Sequence, residues 1–194
     1  MATSHAGAFH RAHAAGQIMS VVLVLGGARS GKSRFAESLG AGALHYIATA
    51  QAFDDEMRER IAKHQLQRGK GWTTHEEAFA LPERLAELNQ PNNFVLVDCL
   101  TLWLSNLMLA EQDWEAPCRA ILSTLGAANA EIVLVSNEVG LGIVPDTPLG
   151  RRFRDAQGLL NQRVAAVADT VVFVAAGLPL LLKGTLPIAP ASQT

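Results

Sequence analysis

Apolar residues gather along this chain in short unbroken runs, set apart by amphipathic or polar stretches. The first run, 21–25, is five apolar residues rich in β-branched side chains. It is too short for a helix and lacks the alternation of a half-exposed strand, so it predicts a strand buried on both faces of a parallel sheet. A glycine-rich turn follows, then a helical stretch over 32–39 that Gly40 and Gly42 end. A second short strand is expected over 44–48. Residues 54–68 predict a polar helix whose acidic opening suits the positive end of the helix dipole. Gly69 and Gly71 break it. Residues 81–88 predict another helix, closed by the polar stretch around Pro91. A third buried strand over 94–97 ends at Asp98. Helices are then expected over 100–109 and 116–125, a fourth strand over 132–136, a long helix over 151–168 and a fifth strand over 170–175.

Strands alternating with helices predict an α/β fold, with a mainly parallel central sheet and helices on both faces. There is no internal repeat and no linker. Residues 20–184 are therefore expected to form one domain, with a disordered tail over 1–19 and a loose one over 185–194. His5, His10 and His13 sit in the first tail, where composition favours a plain tail, or a start at Met19, over a metal-binding tract.

Composition narrows the function more than the fold. Of 194 residues, 49% are apolar and 18% charged, and the net charge is −2, so neither disorder nor nucleic-acid binding is indicated. No apolar run is long enough to span a membrane. The two cysteines, Cys99 and Cys118, form no metal-binding or redox motif and are expected to stay reduced, as in a cytoplasmic protein.

The first turn carries the strongest chemical signal. Gly26-Gly27-Ala28-Arg29-Ser30-Gly31-Lys32-Ser33 fits the phosphate-binding P-loop pattern in full. Its glycines allow a tight turn whose N–H groups point inward at phosphate oxygens. Lys32 is placed to reach the β- and γ-phosphates, and Ser33 to hold Mg²⁺. A buried strand before and a helix after give the pattern its proper context. Asp98, at the end of another buried strand, is equally suited to cap the next helix; with a P-loop upstream, a Mg²⁺ role is expected.

Within 54–68, Arg60, His64 and Arg68 lie four residues apart on one helical face. Two flanking guanidiniums disfavour a protonated imidazole and are able to grip a triphosphate. A neutral imidazole is a nucleophile. Spacing alone leaves a covalent role for His64 and a solvated basic face both open.

Taken together, these segments resemble the bifunctional adenosylcobinamide kinase / adenosylcobinamide-phosphate guanylyltransferases over about residues 21–184. The resemblance rests on the P-loop with Arg34, on Tyr46-Ile-Ala-Thr-Ala50 and Asp54-Asp-Glu-Met57, and on Arg60-Ile61, His64, Arg68, Trp72, Thr74 and Glu76. It continues through Asn137-Glu-Val-Gly-Leu-Gly-Ile-Val-Pro145, Phe153-Arg-Asp155, Gly158 and Asn161-Gln162. Residues 1–20 have no counterpart in the family pattern, and Gly69 replaces a frequent proline. The resemblance implies a RecA-like P-loop NTPase fold and a homotrimer. It implies phosphorylation of adenosylcobinamide by ATP or GTP, then transfer of GMP from GTP to adenosylcobinamide phosphate through a guanylyl-histidine, here His64. Arg60 and Arg68 would bind the phosphates and Glu76 the guanosine. By its position after the fourth strand, Glu138 is equally suited to arrange metal or water and to serve as a helix cap or surface carboxylate. Trp72 would line the site or simply pack.

Three other readings use the same residues, one of them a nucleotide-sensing regulator without catalysis, which turnover of a corrinoid would exclude. A single-activity small-molecule kinase needs Lys32 and Ser33 but not His64. A GTP-dependent switch would carry an Asn-Lys-x-Asp segment, which is missing; Asp155-Ala-Gln-Gly158 fits only a short motif and lies in an expected helix.

Overall fold

The computed structural model describes residues 21–51 and 71–187. The elements run β1 (Val21–Gly26), α1 (Lys32–Glu37), β2 (Ala43–Ala48), β3 (Trp72–Glu76), α2 (Leu81–Leu88), β4 (Asn93–Asp98) and α3 (Leu100–Leu109). They continue with α4 (Glu115–Gly126), β5 (Glu131–Asn137), α5 (Pro148–Val167), β6 (Thr170–Ala175) and β7 (Leu178–Lys183). The strands form one sheet in the order β3-β2-β4-β5-β1-β6-β7. All neighbours are parallel except β6 and β7, which pair antiparallel. This is the α/β class, with a mainly parallel central sheet, expected from the sequence.

The unbroken apolar runs sit in the middle of the sheet, where both faces are covered. In β1, Val21, Leu23 and Leu25 pack toward α2, α3, α4 and α5. Val22 and Val24 point the other way, onto Ala36 of α1 and Leu39. Among the described residues the helices thus lie on both faces, four on one and one on the other. The thicker layer is anchored by Trp103, which is fully buried and donates its indole N–H to the Phe79 carbonyl at 3.0 Å. Truncating such a side chain typically costs about 3–5 kcal/mol.

The structure adds two strands that the hydrophobic pattern does not predict, both at sheet edges. β3, Trp-Thr-Thr-His-Glu, has no apolar run and is only partly buried, at Trp72 and His75. It is held by its ladder to β2 and by Trp72, which meets Tyr46 and Phe94 edge-on at 5.9 Å each. β7 contains Pro179 and four leucines without alternation. An edge strand tolerates proline because one side of it has no ladder to donate to. The long helix α5 begins three residues before the expected 151. Thr147 accepts a hydrogen bond from Gly150 N at 3.1 Å and Pro148 occupies the first turn, a cap and a proline that suit a helix start. The expected helix over 54–68 and the tail over 1–19 lie outside the described residues.

Parallel pairing has one consequence for function: the strand ends gather at one edge. Gly26 is paired with Asn137, and Ala48 with both Asp98 and Glu76. Open parallel sheets bind ligands outside this carboxyl edge.

Candidate functional site

The turn between β1 and α1 is the centre of that edge. Arg29 and Gly31 both take left-handed backbone conformations, with φ of 55° and 94°. Ser30 N donates to the Gly27 carbonyl at 3.3 Å, and Phe35 N to the Gly31 carbonyl at 3.0 Å, where α1 opens. A reversal of this kind is how a phosphate-binding loop turns successive N–H groups toward a bound anion. At Gly26 a side chain is excluded: a Cβ there would stand 2.5 Å from Ser30 Oγ and 2.6 Å from the Val174 carbonyl oxygen. Gly27, by contrast, has nothing within 4 Å of the same position. Lys32 lies back over the loop, its Nζ 3.3 Å from the Gly27 carbonyl.

Neighbouring strands brace the loop from both sides. On the β5 side, Glu138 N donates to the Gly26 carbonyl at 3.1 Å. On the β6 side, Gly177 N in the β6–β7 turn donates to the Ser30 carbonyl at 2.8 Å.

Asp98 ends β4, separated from β1 by β5. It is half-buried, and its Oδ2 accepts a hydrogen bond from the Tyr46 hydroxyl at 2.8 Å. The next peptide bond, Asp98–Cys99, is cis. Thr49 clamps this corner: its Oγ1 donates to the Cys99 carbonyl at 2.7 Å and accepts from Cys99 N at 2.8 Å. Asn106 holds Thr49 in turn, donating to the Thr49 carbonyl at 2.8 Å and the Ala78 carbonyl at 3.0 Å. Burial pushes the Cys99 thiol up to about 12; Asp98 adds to the rise, while the Lys32 charge opposes it.

These contacts bear on whether Mg²⁺ fits. Mg²⁺ takes hard oxygen donors, often one or two from protein with the remainder from phosphate and water. Ser33 in the first turn of α1 and Asp98 supply two such oxygens, and Tyr46 fixes the carboxylate rotamer while engaging only one of its oxygens. Among the described residues there is no group of three or more His, Cys, Asp or Glu that would hold a metal unaided. The donor set fits a nucleotide-borne Mg²⁺ better than an all-protein cage.

The other expected residues divide. Glu76, the last residue of β3, is exposed at the same carboxyl edge as Asp98. Glu138 turns back on its own loop, accepting from Gly140 N at 2.6 Å, so it is engaged in shaping that loop. Trp72 is packed between Tyr46 and Phe94. Arg60, His64 and Arg68 lie outside the described residues. Asp155 and Gly158 fall within α5, so the short Asp-x-x-Gly match is a stretch of helix.

Sequence reading missed the supporting contacts. Tyr46 stands in a segment noted for its resemblance, but its bond to Asp98 spans 52 residues and leaves no local signature. Thr49, Asn106 and Gly177 likewise act across long sequence separations. The one available signal was polar residues inside apolar stretches.

Comparison with known proteins agrees with this geometry. Residues 22–182 match the family described as cobinamide kinase / cobinamide phosphate guanyltransferase. The chain is 50% identical over 167 residues to the bifunctional adenosylcobalamin biosynthesis protein CobP of Pseudomonas aeruginosa, covering 84% of this chain and 96% of that one. It is 40% identical over 181 residues to the CobU protein of the same description in Escherichia coli K12, covering 84% and 99%. For the Salmonella typhimurium CobU protein the figures are 41% over 180 residues, 84% and 99%.

Proposed function

The chain belongs to the cobinamide kinase / cobinamide phosphate guanyltransferase family, and from that premise we propose how its residues divide the two reactions of adenosylcobalamin biosynthesis. The observation that carries the reading is the Gly26–Ser33 cradle, braced by β5 and β6, with Asp98 at the same carboxyl edge on the far side of β5.

In the kinase step, the cradle's N–H groups and Lys32 bind the triphosphate of ATP or GTP. The hydroxyl oxygen of adenosylcobinamide attacks the γ-phosphorus, the bond to the β–γ bridging oxygen breaks with that oxygen leaving on the nucleoside diphosphate, and the hydroxyl proton passes to water. The products are adenosylcobinamide phosphate and a nucleoside diphosphate. Such transfer depends on positioning and charge neutralisation more than on covalent chemistry, which suits a site made of backbone N–H groups and one ammonium. Ser33 and Asp98 would hold Mg²⁺, which neutralises phosphate charge when bound.

In the guanylyl step, the His64 imidazole attacks the α-phosphorus of GTP and pyrophosphate leaves. A phosphate oxygen of adenosylcobinamide phosphate then attacks the same phosphorus. The P–N bond breaks, giving adenosylcobinamide-GDP and free His64. A covalent intermediate splits one difficult transfer into two displacements. Arg60 and Arg68 neutralise the phosphates, and Glu76, exposed at the carboxyl edge, contacts the guanosine.

The protein works as a homotrimer in the cytoplasm. Exposed Leu178, Leu180 and Leu182 on edge strand β7 support subunit contact, since a patch of apolar side chains on an edge is a common association surface. Two free, buried cysteines suit a reducing compartment. Among the described residues no helix is long and apolar enough to cross a membrane.

The test is to incubate the protein with Mg²⁺ and GTP labelled at the α-phosphate, beside His64→Ala. Acid-labile, alkali-stable label on the wild type alone is expected. No label on the wild type, with GTP binding demonstrated, would remove the guanylyl-histidine and leave the kinase.

A further inference from the structure

Behind the nucleotide edge, between β5, α3 and α5, lies a cluster of buried polar side chains where apolar packing would be the ordinary choice. Ser136 and Gln157 are fully buried, and Thr101 and Asn161 nearly so. Gln157 Nε2 donates to Ser136 Oγ and to Asn161 Oδ1, both at 2.9 Å. Ser136 Oγ donates to Asn161 Oδ1 at 2.7 Å and lies 3.5 Å from Thr101 Oγ1. The bonds converge on the backbone of one residue. Asn137 N donates to Thr101 Oγ1 at 2.7 Å, and the Asn137 carbonyl accepts from Asn161 Nδ2 at 3.1 Å.

That residue is paired with Gly26, and the next N–H, of Glu138, donates to the Gly26 carbonyl. Two side chains, one from α3 and one from α5, therefore grip the residue that braces the first glycine of the cradle. The cluster is not arranged for stability alone. Among the described residues, Asn137 Oδ1 and Gln157 Oε1 are buried with no hydrogen-bond partner, and a buried polar group is costlier to place than an apolar one. Directional bonds do, however, fix geometry in a way that apolar packing does not.

We propose that Thr101, Gln157 and Asn161 are positioning residues for phosphoryl transfer. From outside the cradle, they hold the Asn137–Glu138 backbone in one place and so fix Gly26 and the hollow it opens. The residues touch neither nucleotide nor acceptor. Their effect is on the rate of a step that depends on geometry, where small misplacements are costly. The inference rests on the kinase reading above and assigns that reaction residues outside its P-loop.

The experiment measures cobinamide phosphorylation by the full chain for wild type, Thr101→Val, Thr101→Ser and Asn161→Leu, with melting temperature and amide hydrogen exchange alongside. Thr101→Val keeps the side-chain shape and removes the hydroxyl. It is expected to lower kcat at least about tenfold while KM for the nucleotide changes less than about twofold, the pattern of an interaction expressed in the transition state. Thr101→Ser, which keeps the hydroxyl, should recover most of the rate. The Asn137 amide should lose exchange protection in Thr101→Val and keep it in Thr101→Ser. Should Thr101→Val not fold, Gln157→Met carries the same kinetic test, with a smaller loss of kcat expected. An unchanged kcat in folded variants, or a loss that only tracks the folded fraction, overturns the positioning role and leaves the kinase reading intact. A wild type that binds nucleotide and does not phosphorylate cobinamide overturns both.

Discussion

Gly26→Ala isolates the steric demand of the cradle, with Gly27→Ala as its internal control. The two positions are adjacent, but their surroundings are opposite. A Cβ at Gly26 would approach the Val174 carbonyl oxygen to 2.6 Å, about 0.8 Å short of the 3.4 Å at which ordinary contact begins. Ser30 Oγ, at 2.5 Å, is a side-chain atom that rotation would carry away. The Val174 carbonyl belongs to β6 backbone, in the ladder that pairs it with Gly26 itself, so relief there means parting β1 from β6. Overpacking of this kind costs about 1–3 kcal/mol, and for a domain of this size each kcal/mol lowers the melting temperature by about 2–4 °C. Because the displaced backbone is the root of the phosphate loop, GTP affinity should fall by about tenfold or more, corresponding to about 1.4 kcal/mol. Gly27→Ala meets nothing within 4 Å and should keep its stability to within about 0.5 kcal/mol. Urea denaturation and calorimetric titration with GTP measure both quantities. Gly26→Ala matching Gly27→Ala in both would refute the steric argument.

Two further predictions follow from titrating groups. His75, whose ring nitrogen lies 3.2 Å from that of His45, is held below the ordinary histidine range by burial first and then by the positive charges of His45 and Arg84, with Glu87 opposing. The folded state thus binds its proton less readily than the unfolded chain, so stability is intact above the unfolded value and is lost as pH falls through it and the lower folded value. The melting temperature should therefore drop between about pH 7 and pH 5, and His75→Gln should flatten that drop; an equal slope in the two proteins would rule the histidine out. Cys99 and Cys118 are both free, buried and raised in pKa, first by burial. A thiol reagent at about pH 8 should modify neither in the native protein and both after unfolding, since the thiolate is the reactive form; rapid native labelling would contradict this placement.

The central strands and the helices of the thicker layer were legible because their chemistry is local. β1, β4, β5 and β6 are buried on both faces and read as apolar runs, and the P-loop is a contiguous string between a strand and a helix. α3 was predicted over the same residues that form it. The edge strands were not legible. β3 is polar and takes its structure from its ladder to β2, while β7 carries a proline that only an edge position excuses. Glu138 shows the same limit within the site: its position after β5 leaves open what its carboxylate engages, and the structure has Oε1 accepting from Gly140 N.

By itself, the sequence determined the fold class, the phosphate cradle and the family, because each depends on residues close together in the chain or on motifs in a fixed order. Only the tertiary structure decided what surrounds the cradle: Tyr46 on Asp98, Thr49 around Cys99, Gly177 on Ser30, and two helices gripping Asn137. Those contacts join residues distant in sequence through one or two hydrogen bonds each, which leave no periodicity to read. Sheet order brings them together, and sheet order is set by burial of the whole chain at once.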